Sequence, residues 1–314
     1  MDMTQNKCCR RGANLRRRRR RRRKILRSII FSCSIIAVAV FVAVGSSMIR
    51  SGDGRTNRYD VEAGNNTYDN AVIENSKISE KNKIQNNQSM LDDIMNSTQY
   101  PKQLKDLALK NEEALEFVYD YPAEHVKEHT IDLTEEASMD SVPLFVQWDK
   151  RWGYEKYSGN FFAASGCGPT TLSMVVVYLT HNREASPIAV AKYSKEAGYS
   201  VDGSGSSWTL ISEGCRHYGV KAKTVALDES RMKAELDEGH PIVVNVGPGD
   251  FTDTGHFMVI TGYDDEGFSI NDPNSIEKSG KRWLFRNISS QIRAVWSMYC
   301  LLYTSPSPRD GATS

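Results

Sequence analysis

The sequence predicts a domain of the α+β class in the carboxy-terminal half of the chain. A nearly all-apolar helical pattern, SGCGPTTLSMVVVYLT, begins at residue 165, and two strand-like runs, FMVITGY and GFSIND, are separated by a turn at residues 264–267. Such a helix and such a hairpin must bury their apolar faces against other elements. We therefore expect one domain that contains both buried helix and antiparallel strands.

Charge is unevenly distributed along the chain. Residues 1–27 form a basic tip, and residues 1–28 hold 13 of the 40 basic side chains and one of the 39 acidic ones, which leaves 27 against 38 for the remainder. Residues 28–49 then carry no charge and are long enough to cross the hydrocarbon of a bilayer. The positive-inside rule predicts a single transmembrane anchor with a cytoplasmic amino terminus.

Two other interpretations of this amino-terminal segment remain open. The arginine run could be a nuclear or nucleic-acid tract, and the apolar stretch could be a cleaved signal peptide. The stretch is longer than the apolar core of a signal peptide, which favours the anchor. We therefore expect the rest of the chain to be extracytoplasmic, at the cell membrane, and we expect no nucleic-acid partner.

The residues after the anchor divide into a spacer and a helical segment. Residues 50–99 are rich in Asn, Ser, Lys and Asp without a sustained apolar period, which predicts a flexible stalk. Residues 100–140, the lead-in segment, place Leu104, Leu107 and Ala108 on one helical face, and Asn111 can cap a second helix over residues 112–118. The lead-in segment precedes the main domain, which we assign to residues 141–299.

The end of the chain has an unusual composition. Residues 300–314 read CLLYTSPSPRDGATS, which resembles the translation of a sequencing adapter; the alternative is a Pro/Ser-rich disordered tail. With Cys300 set aside, the external body holds two cysteines, Cys167 and Cys215. An extracytoplasmic location would permit a disulfide between them, but their settings differ and favour separate roles.

Cys167 has the setting of a nucleophile. Gly166 and Gly168 leave its backbone free to turn, and Pro169 suits the first turn of a helix. The N-terminal dipole of such a helix favours a thiolate, and its free N–H groups can hold an oxyanion. The alternative is a small buried residue in a Gly-rich turn, and Cys215 is interpreted in that way, as buried packing.

The predicted hairpin supplies a partner for this thiol. His256 opens the first strand and Asp272 closes the second, so both lie at the same end of the hairpin. A carboxylate can fix the orientation and tautomer of an imidazole whose other nitrogen faces a thiol. Separately, His256 could be a strand-end histidine and Asp272 a turn starter; together with Cys167 they indicate a nucleophilic hydrolase.

Other residues near these motifs have weaker signals. Gln147 follows an apolar, strand-like run and could donate its amide to an oxyanion, although a surface glutamine is the simpler interpretation. Four aromatic side chains could line a peptide groove or belong to the core: Trp148, Trp152, Tyr154 and Tyr157.

One motif suggests different chemistry. EHVKEH places His125, Glu128 and His129 in the order of a zinc-peptidase helix, but the segment is short and polar, which favours a solvated loop. GSGSSW at residues 203–208 lacks the Lys-Ser/Thr of a phosphate loop and is interpreted as a loop before the helix TLISEGCRHYG. We expect no metal and no cofactor.

Together these motifs resemble a known family. QWDKRWG, SGCGPTTLSM, SSWTL, GPGDFT and GHFMVITGYDD with NDPNS are similar, in this order, to stand-alone relatives of cysteine peptidase family 39. The best-known members of that family trim double-glycine leaders from bacteriocin precursors, and stand-alone members occur in Gram-positive bacteria, often behind a signal or membrane anchor. The resemblance covers about residues 100–299.

The resemblance implies a papain-like fold, with the nucleophile on a helix packed against an antiparallel sheet that carries the base. It implies that Cys167 is the nucleophile, His256 the general base, Asp272 the orienting acid and Gln147 the oxyanion donor. The expected function is hydrolysis of peptide bonds in a peptide or protein. Alternatives are a cell-wall peptide amidase or endopeptidase, and a non-catalytic wall-binding or scaffold module. No transporter domain follows, so leader processing coupled to export is not expected.

Overall fold

A computed structural model describes residues 66–301, with side chains from residue 81 onward. These residues fall into two compact units, 66–86 and 87–301. The first unit is the amino-terminal part of a polar helix, and everything below concerns the second. The predicted tip and span, at residues 1–27 and 28–49, lie outside the described residues, as do residues 302–314 of the predicted tail at 300–314; Cys300, the first residue of that tail, is paired with Val220 in a sheet. Among the helices that are described, none has the length and apolar character needed to cross a membrane.

The helices and strands of residues 66–301 have the following bounds. The α-helices are α1 (Asn66–Asn96), α2 (Lys102–Lys110), α3 (Leu115–Tyr119), α4 (Tyr121–Glu124), α5 (Phe162–Ser165), α6 (Cys167–Thr180), α7 (Pro187–Glu196), α8 (Thr209–Ser212), α9 (Glu229–Asp237), α10 (Ile276–Ser279) and α11 (Phe285–Ile288). The strands are β1 (Lys156–Tyr157), β2 (Asn160–Phe161), β3 (Ser200–Val201), β4 (Gly205–Ser206), β5 (Val220–Thr224), β6 (Ile242–Val246), β7 (His256–Asp264), β8 (Gly267–Asn271), β9 (Arg282–Trp283) and β10 (Ile292–Cys300). Single 3₁₀ turns cover Glu112–Ala114, Glu136–Ser138, Gly214–Tyr218 and Ser289–Gln291.

The centre of the domain is a six-stranded antiparallel sheet in the order β5-β10-β6-β7-β8-β9. Alternate residues of β7 point to opposite faces, as the two-residue period of a strand requires. Phe257 and Val259 pack in one core cluster with α6, whereas Met258 and Ile260 pack in another with α9. The sheet is therefore covered on both faces, and every residue of β6 is buried. The predicted α+β class is confirmed.

The lead-in segment forms a third apolar cluster beside the sheet. Leu104, Leu107 and Ala108 share the buried face of α2, as the sequence predicts. The Asn111 side chain accepts a hydrogen bond from the backbone N–H of Glu113 at 3.0 Å, which is the predicted cap. The helix that follows is split, with a 3₁₀ turn ahead of α3.

Three local predictions differ from the structure. Much of the segment predicted as a flexible stalk, residues 50–99, lies in α1, because Ile94 near its end is buried against the lead-in cluster. The apolar run before Gln147 is extended coil and not a strand, since the Asn271 side chain donates to the carbonyls of Val142 and Pro143. The segment predicted as one helix over residues 209–219 divides into α8 and a 3₁₀ turn.

Candidate active site

Cys167 is the first residue of α6 and is half-buried at the edge of the sheet. The flanking glycines are needed for close packing more than for a turn, because neither has a positive φ. A Cβ on Gly168 would lie 2.6 Å from Ser206 Oγ, and one on Gly166 would lie 2.6 Å from the Phe162 ring. These contacts let the start of α6, where a helix has backbone N–H groups without partners inside the helix, sit directly against its neighbours.

His256 begins β7 and is held beside α6 by backbone contacts. Thr171 Oγ1 on α6 donates to the carbonyl of Phe257 at 3.1 Å, and Asn245 Nδ2 on β6 donates to the carbonyl of His256 at 3.2 Å. The helix that carries the thiol and the strand that carries the imidazole are therefore joined at the site itself.

The acid comes from the turn after β8. Asn271, the last residue of β8, pairs with Val259 of β7. Asp272 therefore follows the strand and does not close it, and it is not directly opposite His256. Its Oδ1 lies 2.7 Å from His256 Nε2, and its side chain is fully buried. This contact makes Nε2 the donor to the carboxylate and leaves Nδ1 to face the thiol of Cys167. The structure thus brings together the three residues that the sequence predicts.

The electrostatics of this cluster favour an ion pair between thiolate and imidazolium. Burial opposes charge on Cys167, but its interaction with His256 and two backbone hydrogen bonds, from Phe257 and Gly168, outweigh burial and lower the pKa of the thiol. Burial likewise opposes charge on His256, but the charge and hydrogen bond of Asp272, followed by the interaction with Cys167, raise the pKa of the imidazole. Each shift stabilises the charged form of its group.

Gln147 lies in the same site, but the segment that contains it is not a β-strand. Its backbone N–H donates to the carbonyl of Pro273 at 2.7 Å, and its side-chain Nε2 donates to the carbonyl of Ala163 at 2.7 Å. The side chain is 4% exposed and lines the same cleft as Cys167 and His256. One amide N–H remains after the bond to Ala163, and it is the group available to an oxyanion.

The nearby aromatic residues belong to the packing around the site. Trp152 and Tyr157 are buried, and Trp152 Nε1 donates to the carbonyl of Val146 at 2.9 Å. Tyr154 stacks on Phe117 with ring centroids 4.2 Å apart. The Trp148 indole donates to a backbone carbonyl of the turn after Asp272. These four aromatic side chains are therefore packing residues and do not form a peptide groove.

Two clefts share Cys167 in their lining. The first, which we call the lead-in cleft, has a volume of about 510 Å³ and is lined by residues that include Lys110, Gln147 and His256. The second, which we call the glycine cleft, has a volume of about 670 Å³ and is lined by residues that include Gly203, Trp208 and Arg293. Chain segments on both sides of a reacting carbonyl could therefore lie against the protein.

Sequence reasoning missed the residues that support the acid. The turn over residues 272–275, which we call the acid turn, contacts the lead-in segment through the side chains of Asn111 and Glu113. Asn111 was identified only as a helix cap, and nothing in the sequence links it to Asn274, 163 positions away. No local pattern could have revealed this contact.

The structure also decides the alternatives to a thiol site within residues 81–301. Cys167 and Cys215 are both free thiols. His125 and His129 lie at and beyond the end of the short helix α4, where each ring contacts a backbone carbonyl, so they do not share a helical face. Over the described side chains, no group of His, Cys, Asp and Glu is suited to hold a metal ion.

Cys215 is fully buried, and burial raises the pKa of its thiol to about 11.

The chain was compared with solved structures, with curated proteins and with protein families. Solved structures similar to it include the peptidase domain of Streptococcus ComA, a bi-functional ABC transporter involved in quorum sensing, at 20% identity and a TM-score of 0.35, over 43% of this chain and 90% of that one. A protein described as a C39-like peptidase from Bacillus anthracis matches at 16% identity and a TM-score of 0.32, over 54% of this chain and 97% of that one.

No curated protein has significant similarity to the chain. The profile of the Peptidase_C39 like family matches residues 139–300, which is more than half of the sequence and includes Cys167, His256 and Asp272. The chain therefore belongs to the Peptidase_C39 like family.

Proposed function

We propose that this chain is a membrane-anchored, extracytoplasmic cysteine peptidase that hydrolyses peptide bonds through Cys167, His256 and Asp272. The observation that carries the proposal is the contact of 2.7 Å between His256 and Asp272 beside a cysteine that begins a buried helix. Membership of the family supports peptidase chemistry. The uncharged stretch at residues 28–49 behind a basic tip supports the anchor.

The first half of the reaction forms an acyl enzyme. The Cys167 thiolate attacks the peptide carbonyl carbon, and the new C–S bond pushes the carbonyl electrons onto oxygen. The free amide N–H of Gln147 and the N–H groups at the start of α6 hold that oxyanion. The protonated His256 then gives its proton to the leaving nitrogen as the C–N bond breaks, and the amine departs.

The second half releases the acyl group. His256, now neutral, takes a proton from a water molecule that attacks the thioester carbonyl. The tetrahedral intermediate collapses, the C–S bond breaks, and the thiolate returns beside a protonated His256. The buried carboxylate of Asp272 holds the imidazole in one tautomer and one orientation through both halves.

The clefts support an extended polypeptide as the substrate. Because Cys167 lines both of them, the residues before and after the scissile bond can each occupy a separate cleft. The lead-in cleft presents several charged side chains, among them Asp106, Lys110 and Asp250, whereas the glycine cleft is lined mostly by small residues and has one charged side chain, Arg293.

Product analysis tests this function. The parent chain and Cys167→Ala should be incubated with a library of unstructured peptides and, separately, with purified cell-wall stem peptides, and the products identified by mass spectrometry. Products that require Cys167 are expected from the unstructured library. Products from stem peptides alone would assign the chain to cell-wall hydrolysis. If neither set yields products that depend on Cys167, the domain is a binding module and the proposal fails.

The location is tested separately in cells that make the full chain. Exogenous protease added to intact cells should digest the domain at residues 141–299 if it is outside the membrane. A domain that is protected until the cells are lysed would contradict the proposed topology.

A further inference from the structure

The lead-in segment contacts the part of the molecule that carries the acid. Both oxygens of the Glu113 carboxylate are used: Oε1 accepts from the Ser275 hydroxyl, and Oε2 accepts from the backbone N–H groups of Ile276 and Glu277, at 2.7 and 3.1 Å. The N–H groups belong to the first turn of α10, which directly follows the acid turn. One side chain of the lead-in segment therefore holds the far end of that turn.

Asn111 makes two contacts that act together. Its Oδ1 accepts from the backbone N–H of Glu113, which fixes the start of the 3₁₀ turn that carries Glu113. Its Nδ2 donates to the backbone carbonyl of Asn274 at 2.9 Å and to the Asn274 side-chain oxygen at 3.1 Å. Asn111 thus aligns Glu113 and also holds the middle of the acid turn.

The acid turn passes these restraints on to the imidazole. The backbone N–H of Asn274 donates at 2.8 Å to Asp272 Oδ1, the same oxygen that contacts His256 Nε2. The position of Asn274 therefore helps to set the position of that oxygen. A continuous series of hydrogen bonds runs from the lead-in segment through the acid turn to His256.

The acid turn needs external support. It follows the last paired residue of β8, and α10 has only four residues, which is too short to be stable without tertiary contacts. Within the family-matched region, the backbone N–H of Gln147 and the indole of Trp148 donate to carbonyls of the turn. Ser279 on α10 also holds the turn, because its Oγ accepts from the backbone N–H of Asp272 at 2.9 Å. Asn111 and Glu113 add further contacts, and both lie ahead of the matched residues 139–300.

We propose that Asn111 and Glu113 are positioning residues of the active site, which hold the acid turn so that Asp272 aligns the His256 imidazole toward Cys167. The inference rests on the proposed function of Cys167. With this role, the lead-in segment supports the active site and is not a separate docking element. Neither residue touches a reacting atom, so both act through the acid turn, which carries Asp272.

The test uses the full chain and measures the thiol directly. The rate of alkylation of Cys167 by iodoacetamide, followed at that residue by mass spectrometry, gives the apparent pKa of the thiol without any substrate. Glu113→Gln should raise this apparent pKa, because a displaced Asp272 supports the imidazolium less well; a rise of one unit lowers the thiolate fraction about tenfold below the pKa. Turnover by the same variant should fall by about tenfold or more. Glu113→Asp, which keeps the charge, should restore part of both.

A second variant separates the two contacts of Asn111. Serine is a good helix cap but is too short to reach Asn274, so Asn111→Ser should keep the cap and lose the restraint on the acid turn. It should raise the apparent pKa of Cys167 in the same direction. Glu116→Gln, at an exposed position on α3, is the matched control and should leave the pKa unchanged.

The outcomes are distinct. If the parent Cys167 reacts like an ordinary free thiol, the proposed function fails and the inference falls with it. If the parent thiol has a lowered pKa but Glu113→Gln and Asn111→Ser reduce only the melting temperature, with the alkylation profile and turnover of the parent, the two residues are merely structural and the inference is overturned.

Discussion

His256 Nε2 lies 2.7 Å from Asp272 Oδ1, although the two residues are not opposite each other in the β7–β8 hairpin. Asp272 reaches the imidazole from the turn that follows β8. This arrangement makes the acid dependent on the supports of a turn, whereas the imidazole is fixed by a central strand. The predictions below follow from that difference and from the electrostatics of the site.

The activity should have a broad pH optimum. The pKa of Cys167 is lowered and the pKa of His256 is raised, so the thiolate–imidazolium pair persists over a pH range whose lower limit is set by Cys167 and whose upper limit is set by His256. We expect kcat/KM to rise on the acid side as Cys167 ionises and to fall on the alkaline side as His256 loses its proton. Initial rates across the pH range test this. A narrow optimum, with a limb at the ordinary pKa of histidine, would contradict it.

Replacing the acid should narrow the pH optimum from both sides. Asp272→Asn removes the charge that raises the pKa of His256, so the alkaline limb should shift toward neutral pH, and the weaker imidazolium should raise the pKa of Cys167 and shift the acid limb upward. We expect kcat to fall by about a hundredfold to ten-thousandfold, because the amide no longer holds the imidazole in the required tautomer. Asp265→Asn, at the exposed opposite end of the same hairpin, is the control and should keep the parental profile.

Truncating Gln147 should reduce kcat much more than it changes KM. In the proposed mechanism this side chain donates to the oxyanion, and removing one such donor costs about a hundredfold to a thousandfold in kcat. The same truncation leaves the carbonyl of Ala163 without its partner, so the melting temperature should be measured alongside. A variant that unfolds no earlier than the parent and keeps the parental kcat would remove Gln147 from the mechanism.

The two cysteines of the domain should react at very different rates. Cys167 is half-buried with a lowered pKa, whereas burial holds the pKa of Cys215 at about 11. At neutral pH, alkylation should label Cys167 rapidly and leave Cys215 unlabelled until the chain unfolds. Residue-level mass spectrometry distinguishes the two sites. Equal rates for the two thiols would count against a thiol enzyme.

Glu235 should make the free energy of unfolding depend on pH in the acid range. Burial opposes its charge, but hydrogen bonds from Ser297, His240 and Lys223 outweigh burial and lower the pKa of the carboxyl to about 2. Because the folded pKa is below the unfolded one, this stabilisation is present above the unfolded pKa of about 4.5 and is lost as pH falls through the folded pKa.

The matching variant is Glu235→Gln. It should lower the free energy of unfolding by about 1–2 kcal/mol at neutral pH, a value reduced from the full linkage figure because the site is partly hydrated. The difference from the parent, measured by urea unfolding, should shrink as the pH falls toward 2. Glu229→Gln, which removes a more exposed ion pair with Lys233 on the same helix, should change little at either pH.

Local patterns in the sequence were sufficient for the elements that carry the chemistry. The apolar period after Cys167 predicts α6, and the alternation around residues 256–270 predicts the hairpin of β7 and β8, because burial on the sheet imposes these periods. The polar character of residues 124–129 similarly favours a loop over a zinc helix. In each case the decisive interactions lie within a few residues of one another.

Prediction was less successful where a side chain from elsewhere in the chain competes for the backbone. The run ahead of Gln147 has the apolar character of a strand, but Asn271 takes its carbonyls and keeps it extended beside the sheet. Similarly, the end of α1 is ordered by the burial of Ile94 in the lead-in cluster and not by its own period. At such places tertiary contacts outweigh the intrinsic secondary-structure propensity of the segment.

The sequence by itself determined the class of fold and the identity of the thiol, the imidazole and the carboxylate, because a helix start and a hairpin are encoded by nearby residues. Only the tertiary structure decided how the acid is held. Asn111 and Glu113 reach the acid turn from more than 160 positions away, and hydrogen bonds across such a distance depend on the packing of the whole domain. These hydrogen bonds leave no periodic pattern in the sequence from which they could be predicted.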